Sequence, residues 1–418
     1  MNAGVRVVSL MLGAGILLFP AAASAQQIVP DSGDTAWMLG ASALVLLVLL
    51  PGLALYYGGR AMTSRGAAAV GLGVFAIVAT VSLIWVLIGY SLAFSPTGSP
   101  YIGDSYNAML TNLGMVRGNT TVPESAFALY HMLIACFAAA LAAGAVIDRA
   151  RLGWLIVFAS LWTLIVYAPI AHWMWGGGWL AAQGALDFAG GAVVHIAAGV
   201  SALVTALMVG KGEEPTDSAK AIDGFSGFRA VPLLAGAAML WVGWSGLTGG
   251  SELAASDDAT FAIITTHVAA CAAVLVTALL EKLFKGEVTA SGIAAGALAG
   301  LVTATAGAGY IGLGAAMLSG AIGAAACYFA ASAVQNRIGR SDVNAIFATS
   351  AVGGMIGMVL TPIFLAPALG GTGYDGRMSM ASQLVAQAIA IGVIIAWAAL
   401  GTFLCAFVAN LVGQIQRG

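Results

Sequence analysis

An aspartate and a histidine stand eight residues apart in the run Leu186–Leu203, LDFAGGAVVHIAAGVSAL. Asp187 opens the run and His195 sits inside it, among small and apolar residues. Membrane segments tolerate such groups where they face a protein interior or a water-filled path. An imidazole exchanges a proton near neutral pH, so it can accept one or hydrogen-bond a small polar solute. Just upstream, Ala171–Leu180 (AHWMWGGGWL) adds His172, three tryptophans and a glycine triplet. An indole face attracts cations, with contributions of roughly 0.5–2 kcal/mol. A weaker echo lies some 155 residues later, where Asp342 opens Ser341–Met358 and Ser350 stands at the histidine position. The chemistry on offer is cation binding and proton exchange inside a membrane.

The elements that must position these residues are membrane helices. The chain has 418 residues, 61% hydrophobic and 8% charged, with a mean hydropathy of +0.98. Soluble domains carry roughly a quarter charged residues. The composition therefore gives an all-α integral membrane protein, with the bilayer supplying much of the burial. A net charge of −2 offers no case for nucleic acid. Cys136, Cys271, Cys327 and Cys405 lie far apart within apolar runs, as buried small hydrophobes do, and no spacing suggests a metal site or disulfide. Residues 1–25 read as a signal peptide, with Arg6, an apolar stretch Val7–Phe19 too short to span, and an A-x-A site at Ala23–Ala25. That leader puts the mature N-terminus outside the cytoplasm and leaves 26–418 as one membrane domain.

Eleven spans are predicted, near 36–57, 68–94, 124–147, 153–174, 188–210, 230–250, 258–281, 288–306, 309–335, 343–366 and 380–411. The basic residues test that count. Beyond the leader, twelve of fourteen fall in loops that an external N-terminus makes cytoplasmic, and only Arg117 and Arg377 fall outside. The positive-inside rule thus supports eleven spans, N-terminus out and C-terminus in. The longest internal loop, Lys211–Phe228, leaves five spans before it and six after. Two five-helix halves then have inverted topology, with one extra helix. Asp187 to His195 and Asp342 to Ser350 are equal steps, and Gly199 and Gly354 each follow four later, on the fifth span of each half. In inverted repeats such partners meet near the midplane, where substrate sites lie.

The chain resembles the ammonium transporter (Amt/Mep/Rh) family, and its Amt branch in particular. The resemblance rests on Asp187-Phe188-Ala189-Gly190-Gly191 with Val194, His195, Ala198-Gly199 and Ala202-Leu203. It rests also on Pro169–His172 running into Trp175–Gly178, on Pro51–Gly59, and on Gly309–Gly312. These motifs follow in order over about 35–411. The resemblance implies a bacterial cytoplasmic-membrane protein that takes ammonium or ammonia, is not an enzyme, needs no cofactor or metal, and assembles as a homotrimer with one pore per subunit. A workable route attracts the cation at the mouth, removes a proton, and passes neutral ammonia along an apolar pore. The family's recruitment site falls by motif on Trp175 and Ser251; the alternatives are an interfacial anchor for Trp175 and a turn residue for Ser251. Asp187 either binds the cation or caps the fifth helix through backbone N–H groups; the cap is the preferred reading. His195 is implied to line the pore.

Two departures stand out. The family pairs its pore histidine with a second from the tenth span, and here that position is Ser350. A hydroxyl can donate to or accept from His195 but cannot hold a proton near neutral pH. The two gate phenylalanines are replaced by Ile134 and Leu247, which keep an apolar constriction without aromatic faces. His131 stands where the family often has Gln and is placed at the vestibule; His172 is read as structural and His267 as packing rather than pore. The chain ends at Gln414–Gly418, just past the last span. Family members carry a longer tail that meets PII-type regulators, so such a partner is not expected. Ammonium transport is the leading reading; an ammonium sensor, cut from a fusion with a signalling domain, is the second. A channel for water or another neutral solute leaves Trp175 unexplained.

Overall fold

The computed structural model describes residues 28–61, 64–209, 230–338, 346–376 and 378–413. The expected leader, Asp342, Arg377 and 414–418 lie outside the described residues. Among the described residues, ten helices are long and apolar enough to cross a membrane: α1 (Ser32–Arg60), α2 (Gly66–Phe94), α3 (Glu124–Ala143), α4 (Leu152–Ala182), α5 (Gly191–Met208), α6 (Ala230–Gly250), α7 (Asp257–Lys285), α9 (Leu313–Gln335), α10 (Phe347–Phe364) and α11 (Met380–Val412). Between α7 and α9 lies the shorter apolar helix α8 (Ala290–Thr305). Its 16 residues rise only about 24 Å, less than the roughly 30 Å hydrocarbon thickness. The irregular stretch 306–312 follows it, and most of it is buried against protein, where non-helical backbone is tolerated.

Local chemistry sets the helix ends. Asp31 starts α1 by accepting from the backbone N–H groups of Gly33 and Asp34, which places the start before the apolar run expected from 36. Ser256 caps α7 by accepting from Ala259. That helix runs beyond the expected 281 to Lys285, and Gly286 ends it at φ +83°, a conformation suited to glycine. Within the 95–123 loop, a two-residue strand β1 (Gly98–Ser99) pairs antiparallel with β2 (Ile102–Gly103).

The helix contacts repeat between halves. Helix α1 packs on α6, and α5 on α10; α2 meets α3 and α4 as α7 meets α8 and α9. Likewise α1 meets α3 as α6 meets α8, and α3 meets α5 as α8 meets α10. This is the pattern of two inverted five-helix units. Helix α11 stands apart from it and packs on α4, α5 and α10. At the α5–α10 crossing, both helices open with a π-turn, Gly191–Ile196 and Phe347–Val352. These π-turns carry His195 and Ser350 and leave backbone hydrogen bonds out of register there, a feature frequent at functional sites. Large apolar side chains such as Leu275, Leu283, Leu400 and Leu411 stay exposed on the outer surface, as the bilayer requires.

Candidate functional site

The site is built where α5 begins. Gly190 has φ +105°, and an added Cβ would strike Val194, so glycine is required at this turn. Asp187, only 6% exposed, spends its carboxylate on the turn. Its Oδ1 accepts from Gly190 (3.2 Å), and its Oδ2 accepts from Ala192 and Val193 (2.9 Å each). These are the orphan N–H groups of a helix start. The preceding chain is held from two sides. Phe188 and Ala189 donate to the carbonyls of Ala306 and Thr305 at 3.1 and 3.0 Å. Gln387 of α11 bonds both the N–H and the carbonyl of Leu186 at 2.8 Å, and Gln383 donates to the carbonyl of Gly184 at 2.6 Å. The eleventh helix thus positions the segment that carries Asp187.

Trp175, half-buried, donates from Nε1 to the Asp187 carbonyl at 2.7 Å, which fixes its ring at the mouth. Ser251 follows the end of α6 on the same face. Its hydroxyl donates to the Leu247 carbonyl at 2.8 Å. The Tyr130 hydroxyl donates to that carbonyl at 2.6 Å and lies 3.3 Å from Ser251 Oγ. The Tyr130 hydroxyl also reaches the Gly246 carbonyl at 3.1 Å; with its own proton on Leu247, the Ser251 oxygen keeps acceptor lone pairs. Next along the chain, burial and the nearby Asp258 charge hold the Glu252 carboxyl above its usual range.

Deeper in, Ile134 and Leu247 are 1% and 2% exposed. Each lies one helical turn nearer the mouth than the residues around His195. The chamber at His195 is lined by Leu53, Tyr57, Phe137, Leu141, Leu240, Trp244, Leu298, Val302 and Ser350 and has a volume of ≈ 10 Å³. That is about the space one water-sized molecule occupies. Trp244 stacks on the imidazole at 5.2 Å between centroids and 7° between planes. Its Nε1 donates to Thr305 at 3.0 Å, which holds it there. Phe137 sets its edge against both rings, at 5.9 Å from His195 and 5.7 Å from Trp244. Phe137 thus lines the chamber one turn inward of Ile134. His195 and Ser350 share this chamber, but among the described residues no hydrogen bond joins them, and Nδ1 of His195 has no protein partner.

The remaining histidines separate clearly. Both ring nitrogens of His172 face carbonyls, Ala93 at 3.0 Å and Ser99 at 2.9 Å, tying α4 to α2 and to β1. His267 accepts from Trp241 at 3.1 Å on an exposed face of α7, away from the chamber. His131 packs against Trp175 with centroids 5.4 Å apart. Sequence reasoning missed Phe137, Trp244, Gln383 and Gln387. The glutamines were the most readable, as a polar i, i+4 pair in an otherwise apolar helix; Phe137 sits one turn from Ile134 on the same face.

Fold and site define a class first: a polytopic helical membrane protein with an inverted repeat and a narrow chamber where α5 crosses α10. The chain belongs to the ammonium transporter family, since the sequence pattern of the Ammonium Transporter Family matches residues 36–417. It is 38% identical to an ammonium transporter of Aquifex aeolicus over 365 residues, covering 86% of this chain and 84% of that protein. Its structure resembles that of Candida albicans Mep2 with a TM-score of 0.82 at 31% identity, covering 93% of this chain and 87% of that one. A protein described as a sensor Amt protein shares the fold at a TM-score of 0.83 and 24% identity, over 92% and 95% of the two chains.

Proposed function

We propose that this chain moves ammonium nitrogen across the cytoplasmic membrane of a bacterium, recruiting the cation at Trp175 and Ser251 and passing ammonia by His195. The mouth carries the argument: an indole face fixed by the Asp187 carbonyl stands beside a hydroxyl whose proton is spent on Leu247. Asp187 serves the site by shaping it. Ile134 and Leu247 form the apolar throat, and His195 lines a chamber the size of one small neutral solute, with Ser350 opposite. The N-terminus lies outside and the C-terminus inside, in keeping with the distribution of basic residues. Three copies assemble, each with its own pore, as the family resemblance implies.

The test is ammonium binding and ammonium-driven current in proteoliposomes on solid-supported membranes. Trp175→Leu removes the cation–π contact, worth roughly 0.5–2 kcal/mol, so binding weakens roughly twofold to thirtyfold. An unaltered dissociation constant removes Trp175 from the site. A second reading, a non-conducting ammonium sensor, is favoured by the narrow chamber and by Ser350 standing opposite His195 in it. Retained binding with no current in the wild type decides for it.

A further inference from the structure

We infer that His131 is a third recruitment group, a neutral hydrogen-bond acceptor for an N–H of the ammonium ion at the mouth. The inference rests on the Trp175–Ser251 reading above. His131 is 7% exposed, and its Nδ1 is buried with no partner. Among the described residues no hydrogen bond reaches either ring nitrogen. Leaving a buried polar atom unpaired is costly, and such atoms in a well-packed protein call for a reason. Simple ring packing does not need a nitrogen here. Phe94 and Phe127 lie against His131 at centroid distances of 4.6 and 4.2 Å, and a phenylalanine would extend that cluster without an orphaned atom.

The position supplies the reason. The ring sits edge-to-face with Trp175 at 5.4 Å and next to Tyr130, whose hydroxyl approaches Ser251 at 3.3 Å. The imidazole thus touches the indole, and Tyr130 beside it in the chain reaches the serine oxygen. Ammonium has four N–H donors, and a neutral imidazole offers one acceptor nitrogen. A π face and one hydroxyl oxygen leave most of those donors unserved; His131 adds the acceptor that distinguishes N–H from N–CH₃. Nearby Arg117, over the Phe94 and Phe127 rings at 5.2 and 4.8 Å, carries its own counter-charge in Glu124 at 3.4 Å. His131 therefore acts in selectivity as well as affinity.

The experiment measures ammonium and methylammonium binding to the purified protein by titration calorimetry. The variants are His131→Phe, His131→Leu, His131→Gln and, for the reading beneath, Trp175→Leu. Losing a hydrogen bond to a charged ligand should weaken ammonium roughly tenfold or more in the Phe and Leu variants. Methylammonium, with one donor fewer, should lose less, so the preference for ammonium narrows. His131→Gln, which restores an acceptor, should bind within a few-fold of the wild type. Ammonium binding within twofold of the wild type in either folded apolar variant overturns the inference, provided Trp175→Leu weakens it. If Trp175→Leu also changes nothing, the recruitment reading falls and the inference falls with it.

Discussion

A single imidazole faces the chamber, and its neighbours decide what it can do. His195 is stacked on Trp244 and edged by Phe137, with a hydroxyl on the opposing helix. Serine cannot hold a proton near neutral pH, so a relay through two rings is interrupted at Ser350. Replacing Ser350 by His supplies a second ring, but the chamber it shares with Phe137 has a volume of only ≈ 10 Å³. We therefore expect Ser350→His combined with Phe137→Ile to raise ammonium-driven current well above the wild type on solid-supported membranes, with Ser350→His alone giving a smaller rise. A large wild-type current that neither change alters would show that one histidine suffices.

At the level of elements, the mouth depends on backbone groups that helices α5, α8 and α11 leave for one another. Asp187 serves three N–H donors, and Gln387 brackets Leu186. Asp187→Ala orphans those donors, each at roughly 1–3 kcal/mol when buried, so both thermal midpoint and ammonium affinity should drop. Asp187→Asn, which keeps one carbonyl oxygen, should fall between. Lost affinity at an unchanged midpoint would instead make Asp187 a direct ligand. The spans themselves were legible, because hydropathy and the one-sided distribution of basic residues both constrain them. The π-turns at His195 and Ser350 were not, since a one-residue slip in a hydrogen-bond ladder changes no side-chain type. Phe137 was likewise hidden, because one aromatic in an apolar run shows its role only when Trp244 and His195 arrive from other helices. His131 was visible as an unusual residue at the vestibule, but its missing partner is a tertiary fact.

For the whole molecule, the inverted repeat is most plainly seen where the halves touch. A Cβ on Gly199 would overlap the backbone of Ala351, and one on Gly354 would overlap the carbonyl of Gly191. The α1–α6 crossing does the same, with Gly59 against the backbone of Leu233 and Gly236 against that of Tyr56. Each half thus contributes at least one glycine to each crossing. The close approach of α5 and α10 is what puts His195 and Ser350 in one chamber, and small residues permit such approach in membranes. Side chains at Gly199 or Gly354 must push the halves apart. Overpacking of this kind costs roughly 1–3 kcal/mol, so Gly199→Val and Gly354→Val should each lower the thermal midpoint in detergent. Gly392→Ala on α11, where an added Cβ meets nothing within 4 Å, should not lower it and should raise it slightly, since alanine favours the helix. Because both valines widen the same crossing, the double variant should cost less than the sum of the two. Strict additivity would mean that the two glycines act independently, and that the halves do not meet as one shared crossing.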